Sequence, residues 1–339
     1  MSLSNRHILF TTRPAGKPTP EIFAAAEKPL IELQDGEFRI RNHYIAMDPA
    51  LVGRMRTEDN YAESVAPGDV MHAYGVGEVI ESKNPSVQVG QTRLGRLDMQ
   101  EYYTSDDPST SFPVGVDLPI SWYLSVLGIT GITAYFAFHE ICEPKEGETV
   151  VISAGASSVG ATVAQLAKKV GCRTVGIVST DEKAQQAKEE WDYDAVVSYR
   201  GKSIDELSQA IGEVCPNGVD MYYDNTSGDI SEAVMDHYNL FARIAVVGRL
   251  AISHLSDTKQ DTGRRDNNLI LAKRVKKQGF VILDYKDRML EAIIALAELV
   301  QNGDIKVKED ILEGIDKTSE AFFRMLNGEN NGKQLVKLI

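Results

Sequence analysis

The chain has 339 residues, enough for two domains with large cores, and a formal net charge of -13. This acidic balance argues against general binding to nucleic acid or to anionic membrane surfaces, and still allows a local basic pocket for a phosphate. Three scattered cysteines, Cys142, Cys172 and Cys215, support neither a disulfide framework nor a metal site.

The N-terminal sequence MSLSNRHILF lacks the apolar core of a secretory signal, and no apolar run approaches the roughly 20 residues that span a bilayer. We therefore expect a cytoplasmic protein with no membrane segment.

The first 120 or so residues carry β-rich runs broken by turn residues and resemble a small irregular β-barrel. The strands predicted there are 5–12, 30–34, 37–46 and 75–80. Residues 127–138 (LGITGITAYFAF) begin with glycine punctuation and continue as a helix, so we place the crossing between two domains near them.

A strand, a tight turn and a helix are predicted across residues 149–171. Residues 149–154 form an apolar, β-branched run typical of a buried parallel strand, and a helix with one apolar face follows and ends at Gly171. The turn has the form G-x-G-x-x-G with Ser157 in place of the second glycine. Such a turn can hold a dinucleotide pyrophosphate on the amides of the helix start. The alternative is an ordinary strand-to-helix turn; a P-loop is disfavoured because no Gly-Lys-Ser/Thr ending is present.

Strands and helices alternate downstream, which predicts a doubly wound parallel sheet with its ligand crevice at the carboxyl ends of the strands. Ser203 and Glu206 form a capping box, residues 289–300 are a periodic helix, and residues 334–338 are a strand that returns to the first domain. The further predicted strands of the parallel sheet are 173–178, 195–198, 219–224, 242–247 and 279–283.

Six separated blocks resemble one family, the zinc-independent medium-chain dehydrogenase/reductases, in the branch of prostaglandin or leukotriene reductases and double-bond reductases. The blocks are 127–135, 154–171, 215–220, 223–225, 278–280 together with 284–285, and 328–333.

The resemblance implies an α/β protein whose GroES-like catalytic domain is built from residues 1–126 and 301–339 around an NADP-binding Rossmann domain, 127–300. It also implies a homodimer that uses NADPH to reduce activated carbon-carbon double bonds of enones or enals, with hydride delivered to the β-carbon. No metal is expected, because residues 74–78 (YGVGE) replace the glycine-histidine-glutamate signature of zinc-dependent relatives. His72 is interpreted as a surface or pocket residue rather than a ligand.

The resemblance assigns cofactor contacts to Ser157, Ser158, Val159, Gly160, Lys183, Tyr199, Asn225, Gly248, Phe280, Val281 and Asn330. The turn residues would hold the pyrophosphate, and the backbone of Phe280 and Val281 would lie near the nicotinamide. Lys183 and Tyr199 would bind the adenosine 2′-phosphate. Asp181 leaves an alternative open, because an acid about 20 residues after the turn accepts ribose hydroxyls in NAD sites. Without the resemblance, each of these residues also fits an ordinary surface, packing or turn role.

The substrate side departs from the family. Ala50 stands where relatives carry a tyrosine, and Ser253 with His254 replaces a tyrosine-asparagine pair. Loss of these phenols removes groups that could stabilise an enolate or relay a proton. Tyr61, Tyr74, His72 and His254 are the candidate replacements, and the cofactor ribose or water could protonate the product instead. A quinone or specialised ring substrate, or a non-catalytic NADPH-binding relative, therefore remains an alternative.

Overall fold

The structure is a computed structural model, and it describes residues 4–57, 63–115, 117–255 and 258–338. The chain divides into two compact units. The first, here called the β-rich unit, comprises Met1–Ser125 and Glu309–Ile339. The second, here called the parallel-sheet unit, comprises Val126–Lys308.

The β-rich unit begins with strands β1 to β7 and one short helix. The strands are Ser4–Phe10, Phe23–Pro29, Phe38–Ala46, Tyr74–Ser82, Thr92–Arg96, Tyr102–Ser105 and Ser111–Pro113, and helix α1 is Leu51–Arg54. β1 and β2 form an antiparallel pair of their own, whereas β3 pairs with both β4 and β6 in a larger sheet.

The parallel-sheet unit contains helices α2 to α8 and strands β8 to β13. Its helices are Ile129–Phe136, Ser158–Val170, Asp181–Trp191, Ile204–Val214, Gly228–Met235, Asn267–Lys273 and Met289–Gln301. Its strands are Thr149–Ser153, Arg173–Val178, Ala195–Ser198, Val219–Asp224, Tyr238–Val246 and Lys276–Gly279.

The six strands are all parallel to their neighbours and lie in the order β10-β9-β8-β11-β12-β13. This is the doubly wound order, with the two halves diverging between β8 and β11. Every residue of β8 is buried, as the apolar run predicted. The Rossmann prediction is therefore confirmed.

The C-terminal segment returns to the β-rich unit through β14 (Glu309–Glu313), α9 (Thr318–Asn327) and β15 (Lys333–Lys337). β15 lies between β14 and β3, which confirms the predicted return. Apolar side chains from both chain ends share one core, for example Phe10, Ile45 and Phe322. In the described residues the larger sheet is an open path, β14-β15-β3-β4-β5-β7, with β6 attached to β3.

Local helix signals predicted from the sequence are present. Ser203 accepts from the Glu206 amide while the Glu206 carboxylate accepts from the Ser203 amide, which completes the capping box of α5. Gly171 ends α3 at a φ of 87°, a left-handed conformation that favours glycine.

Two predicted strands are wrong. Residues 30–34 lie outside any strand, and β2 is instead Phe23–Pro29, an alanine-rich segment whose seven residues pair with β1. Residues 280–283 leave the sheet, and β13 is the exposed polar segment Lys276–Gly279. In both places pairing with an existing strand outweighs the side-chain preference that the prediction used.

Candidate nucleotide-binding site

The turn between β8 and α3 is preorganised by its own side chains. Ser157 is the N-cap of α3, and its Oγ accepts from the Gly160 amide at 3.1 Å. This leaves the hydroxyl proton available to an anion. Ser158 and Val159 begin the helix, where amides lack intrahelical partners and the helix dipole favours negative charge. The turn therefore has the donors that a pyrophosphate needs.

Gly155 and Gly160 permit the close packing of this turn. A Cβ on Gly160 would lie 2.5 Å from the carbonyl oxygen of Ala154 and 2.9 Å from the Cα of Gly155. A Cβ on Gly155 would lie 3.1 Å from the Cα of Gly176 in the neighbouring strand β9. Gly160 therefore has the stricter requirement, because its Cβ would come closer than 3.0 Å to backbone atoms, whereas that of Gly155 would not.

Tyr193 braces the turn from beneath and was missed by the sequence analysis. Its hydroxyl lies 2.9 Å from the carbonyl oxygen of Gly155 and 3.1 Å from that of Gly160, so it donates to this pair of acceptors. Burial raises the pKa of its phenol well above the usual range, so it remains a donor. Nothing in the local sequence marks this role, since the residue lies in the loop before β10, more than 30 positions from the turn.

The predicted cofactor residues of this unit all follow the carboxyl ends of parallel strands. Because those ends meet at one edge of the sheet, the fold brings the residues to one side. After β8 come Ser157, Ser158, Val159 and Gly160; Lys183 follows β9, Tyr199 follows β10, Asn225 follows β11, Gly248 follows β12, and Phe280 and Val281 follow β13.

Asn225 ties β11 to β8 at this edge. Its backbone amide donates to Ser153 Oγ and its Nδ2 donates to the Ser153 carbonyl, both at 2.8 Å. Gly248 passes directly over it, since a Cβ there would lie 2.4 Å from the Asn225 carbonyl oxygen. The buried Asp224 beside it accepts from the amides of Thr226 and Ser227, which fixes the loop after β11. The sequence analysis did not assign this role to Asp224.

Phe280 belongs to an aromatic stack. It is buried, its amide donates to the Val246 carbonyl, and its ring stacks on Tyr285 with centroids 5.1 Å apart. Tyr285 in turn stacks on Phe136 at 4.6 Å. The loop after β13 is therefore held against α2.

The predicted candidates outside the sheet edge fall in both units. Asn330 lies in the loop before β15, where its Nδ2 donates to the Gly332 carbonyl at 2.7 Å. Tyr74 is half-buried on β4 opposite Arg96. His254 is half-buried in the turn after β12, whereas Tyr61 lies outside the described residues. Ala50, which stands where the resemblance predicts a tyrosine, is exposed and directly precedes α1.

The β-rich unit also contains a cluster of polar side chains, of which only His72 was predicted as a candidate site residue. His72 Nδ1 and Asp98 Oδ1 are buried and have no hydrogen-bond partner among the described residues. Burial, with Arg96 and Arg54 nearby, lowers the pKa of His72 to about 4. Burial raises the pKa of Asp98 to about 7, against the pull of the same two arginines.

Two arginines lie beside these side chains, and the ion pair between Arg96 and Asp98 is loose. Arg96 Nε lies 3.9 Å from Asp98 Oδ1, and its guanidinium also contacts Glu63 at 3.2 Å. Arg54 donates to the Glu63 backbone carbonyl at 3.4 Å. Two buried polar atoms therefore face charged neighbours without forming close hydrogen bonds to them, and such unsatisfied groups with shifted pKa values occur at functional sites.

The described residues do not provide a metal-ligand set. Within them, no group of three or more histidine, cysteine or acidic side chains is placed to hold a metal ion. Residues 74–78 lie within β4, and the three cysteines are buried free thiols. Burial raises the pKa of Cys142 to about 12 and of Cys172 and Cys215 to about 11, which disfavours the thiolate that metals bind. None of the helices that the structure describes could span a lipid bilayer.

Comparison with known proteins finds two family matches. Residues 6–114 match the family described as the N-terminal domain of oxidoreductase, and residues 158–298 match the family described as zinc-binding dehydrogenase.

Relatives match over nearly the whole chain. The Bacillus subtilis protein YfmJ is 38% identical over 100% of this chain and 99% of its own. The NADPH-dependent curcumin reductase of Escherichia coli is 34% identical, covering 98% of this chain and 97% of its own. The crystal structure of CurA from Vibrio vulnificus in complex with NADPH is 32% identical, with a TM-score of 0.90 over 98% of this chain and 99% of that one.

Proposed function

The chain belongs to the zinc-independent medium-chain dehydrogenase/reductases, in their double-bond reductase branch, and we propose that it is an NADPH-dependent reductase of activated carbon-carbon double bonds. The substrates are enones or enals, and the β-carbon receives the hydride. The observation that carries this proposal is the preorganised turn around Gly160, together with similarity to named NADPH-dependent reductases over nearly the whole chain.

The residues present fit NADPH. Ser157, Ser158, Val159 and Gly160 would hold its pyrophosphate on the first turn of α3, where orphan amides and the helix dipole attract anions. When bound, NADPH supplies the hydride that reduces the double bond. Lys183 would contact the 2′-phosphate, with Tyr199 beside it.

The remaining contacts would order the nicotinamide end. Asn225 is fixed by Ser153, and the Phe280–Val281 backbone is fixed by the ring stack behind it. Gly248 leaves room over the loop after β11. Asn330, from the loop before β15, is the proposed cofactor contact of the β-rich unit.

The substrate pocket requires donors for the enolate oxygen and a proton for the α-carbon. The resemblance predicts tyrosines where this chain has Ala50 and Ser253, so we expect another group to donate. Tyr74 and His254 are the described candidates, with Tyr61 outside the described residues. Water or the cofactor ribose could also deliver the proton, so no single side chain is assigned that role.

The proposal is tested by screening NADPH oxidation over enones, enals and quinones, with and without a chelator, and identifying products by mass spectrometry. We expect turnover that survives the chelator and products saturated at the carbon-carbon bond. Hydroquinone formation alone would instead support a quinone reductase. NADPH binding without turnover over the whole panel would support a non-catalytic relative.

We also propose a cytoplasmic homodimer that associates through the parallel-sheet unit. Strand β13 is exposed along its length at the end of the six-stranded sheet, and Phe241 on the adjacent strand is 62% exposed. Such an edge with exposed apolar neighbours favours association. The buried free cysteines suit a reducing compartment. Light scattering after size-exclusion chromatography should give twice the chain mass, and a monomer at all concentrations would contradict the dimer.

A further inference from the structure

The start of α4 combines an acid and a base where the cofactor adenosine is expected. Asp181 is the first residue of this helix and Lys183 the third. In an NAD site an acid here accepts from the ribose hydroxyls, and its charge would repel a 2′-phosphate. An NADP site with Asp181 therefore has to neutralise or withdraw that carboxylate.

The Asp181 carboxylate accepts a hydrogen bond from Ser198. This serine is the last residue of β10 and is 8% exposed, and its hydroxyl donates to Asp181 Oδ1 at 2.5 Å. The bond joins the carboxyl end of β10 to the start of α4. It holds one oxygen of the Asp181 carboxylate against the Ser198 hydroxyl.

Lys202 extends the contact into a series of hydrogen bonds that links three side chains. Its ammonium donates to Ser198 Oγ at 3.1 Å and to the Ser198 carbonyl at 2.9 Å. The hydroxyl can accept from the ammonium through a lone pair while donating its proton to Asp181, so both bonds can exist together. The hydrogen bonds thus run from the Lys202 ammonium through the Ser198 hydroxyl to the Asp181 carboxylate.

The backbone prepares Lys202 for this position. Its amide donates to the Tyr199 carbonyl at 3.1 Å, closing a four-residue turn after β10. Gly201 in that turn has a φ of 83°, which favours glycine. The turn brings Lys202 back toward the end of β10, so its side chain can bond to Ser198.

The neighbouring acid is also engaged locally. Hydrogen bonds to its own backbone and to Thr180 lower the pKa of Glu182, with Arg200 contributing in the same direction. Both acids at the start of α4 therefore have local donors, and Arg200 and Lys202 add positive charge to the same edge.

We propose that Ser198 and Lys202 hold the Asp181 carboxylate away from the cofactor ribose, and that this series of hydrogen bonds makes the site prefer NADPH over NADH. Ser198 and Lys202 are positioning residues, since they act through Asp181. The inference rests on the proposed NADPH-dependent function and adds the determinant of cofactor choice.

The test measures dissociation constants for NADPH and NADH by fluorescence titration of the full chain, independently of turnover. 2′,5′-ADP and 5′-AMP serve as probes of the adenosine end alone. The variants are Ser198→Ala, Lys202→Met and their combination, each with and without Asp181→Asn. The combination is needed because Lys202 can pair directly with Asp181 once the hydroxyl is removed.

We expect the combined variant to lose about tenfold in NADPH affinity relative to NADH, the size of one charge-assisted hydrogen bond. Adding Asp181→Asn should restore most of the preference, whereas Asp181→Asn alone should change it by less than about twofold. 2′,5′-ADP should weaken with NADPH, and 5′-AMP should behave like NADH.

Lys168→Met is the matched control, because it removes a lysine side chain that is hydrogen-bonded elsewhere in the same unit, in the 2.7 Å pair with Asp194. It should leave the NADPH to NADH ratio unchanged; an equal shift there would overturn the inference. An unchanged ratio in the combined variant, or a loss that Asp181→Asn does not correct, would also overturn it. If the wild-type chain binds neither dinucleotide, the proposed function itself fails.

Discussion

Two polar regions of this protein differ in how their groups are satisfied. At the β8-to-α3 turn, Ser157 caps the helix, Tyr193 bonds two carbonyls and Asn225 ties two strands together. In the β-rich unit, His72 Nδ1 and Asp98 Oδ1 are buried without a hydrogen-bond partner in the described part of the chain. The polar atoms of the turn are paired with one another, whereas the group in the β-rich unit contains buried polar atoms that no described residue satisfies.

The largest effect on stability should come from replacing Asp98, whose buried carboxylate has an unsatisfied oxygen. Asp98 holds its proton more tightly in the fold than when unfolded, so folding stability falls as pH rises from about 4 to about 7. Asp98→Asn removes this penalty and tolerates the residue's φ of 61°. The variant should gain up to about 4 kcal/mol in the free energy of unfolding at pH 8, and little at pH 4. Urea denaturation at both pH values measures this.

His72 provides the opposite control. Its pKa is lowered to about 4, so the unfolded chain binds more protons and stability rises with pH between about 4 and 6.5. His72→Gln should therefore be stabilising at pH 5 and neutral above pH 7. If both variants showed the same pH dependence, these two side chains would not be the source.

The second effect tests the β8-to-α3 turn. Gly160→Ala places a Cβ 2.5 Å from a backbone oxygen, so the turn has to shift. NADPH affinity should fall by about a hundredfold, because the shifted amides would lose about two charge-assisted hydrogen bonds to the pyrophosphate. Gly16→Ala is the control, because a Cβ there meets nothing within 4 Å. Wild-type affinity in Gly160→Ala would show that the turn is not the cofactor site.

Cofactor charge gives the third effect. Lys183→Ala should weaken NADPH by about tenfold and NADH much less, because only NADPH carries the 2′-phosphate. Equal losses for both dinucleotides in a binding titration would remove Lys183 from the phosphate site.

Removing the Tyr193 hydroxyl should have the smallest effect on stability and on NADPH affinity. Tyr193→Phe loses a buried donor to the carbonyls of Gly155 and Gly160, and should cost about 1 to 2 kcal/mol of stability with a modest loss of NADPH affinity. Tyr223→Phe loses a bond to the Thr133 carbonyl in the same unit and should cost stability alone. Equal affinities in the two variants would mean that the brace does not shape the turn.

Sequence analysis succeeded where the signal is local. The buried run of β8, the cap at Gly171 and the Ser203 capping box all depend on neighbours within a few positions, and the structure contains them. It failed at β2 and β13, where pairing with a distant strand decides.

The same distinction applies to the site. The glycine turn is visible in the sequence, whereas Tyr193 reaches Gly160 across 33 positions and Ser198 reaches Asp181 across 17. Asp98 shows no motif either, since its altered pKa comes from burial created by the fold. These contacts join residues that are far apart in the sequence and arise only when the chain folds.

The most direct test of the reductase assignment follows the hydrogen. The protein is incubated with a simple enal or enone and NADPH deuterated at C4, using each of the two C4 isomers in turn. Mass spectrometry and NMR should find one deuterium at the β-carbon of a saturated product, from one isomer only. An alcohol or hydroquinone carrying the label, or a saturated product without it, would contradict the assignment.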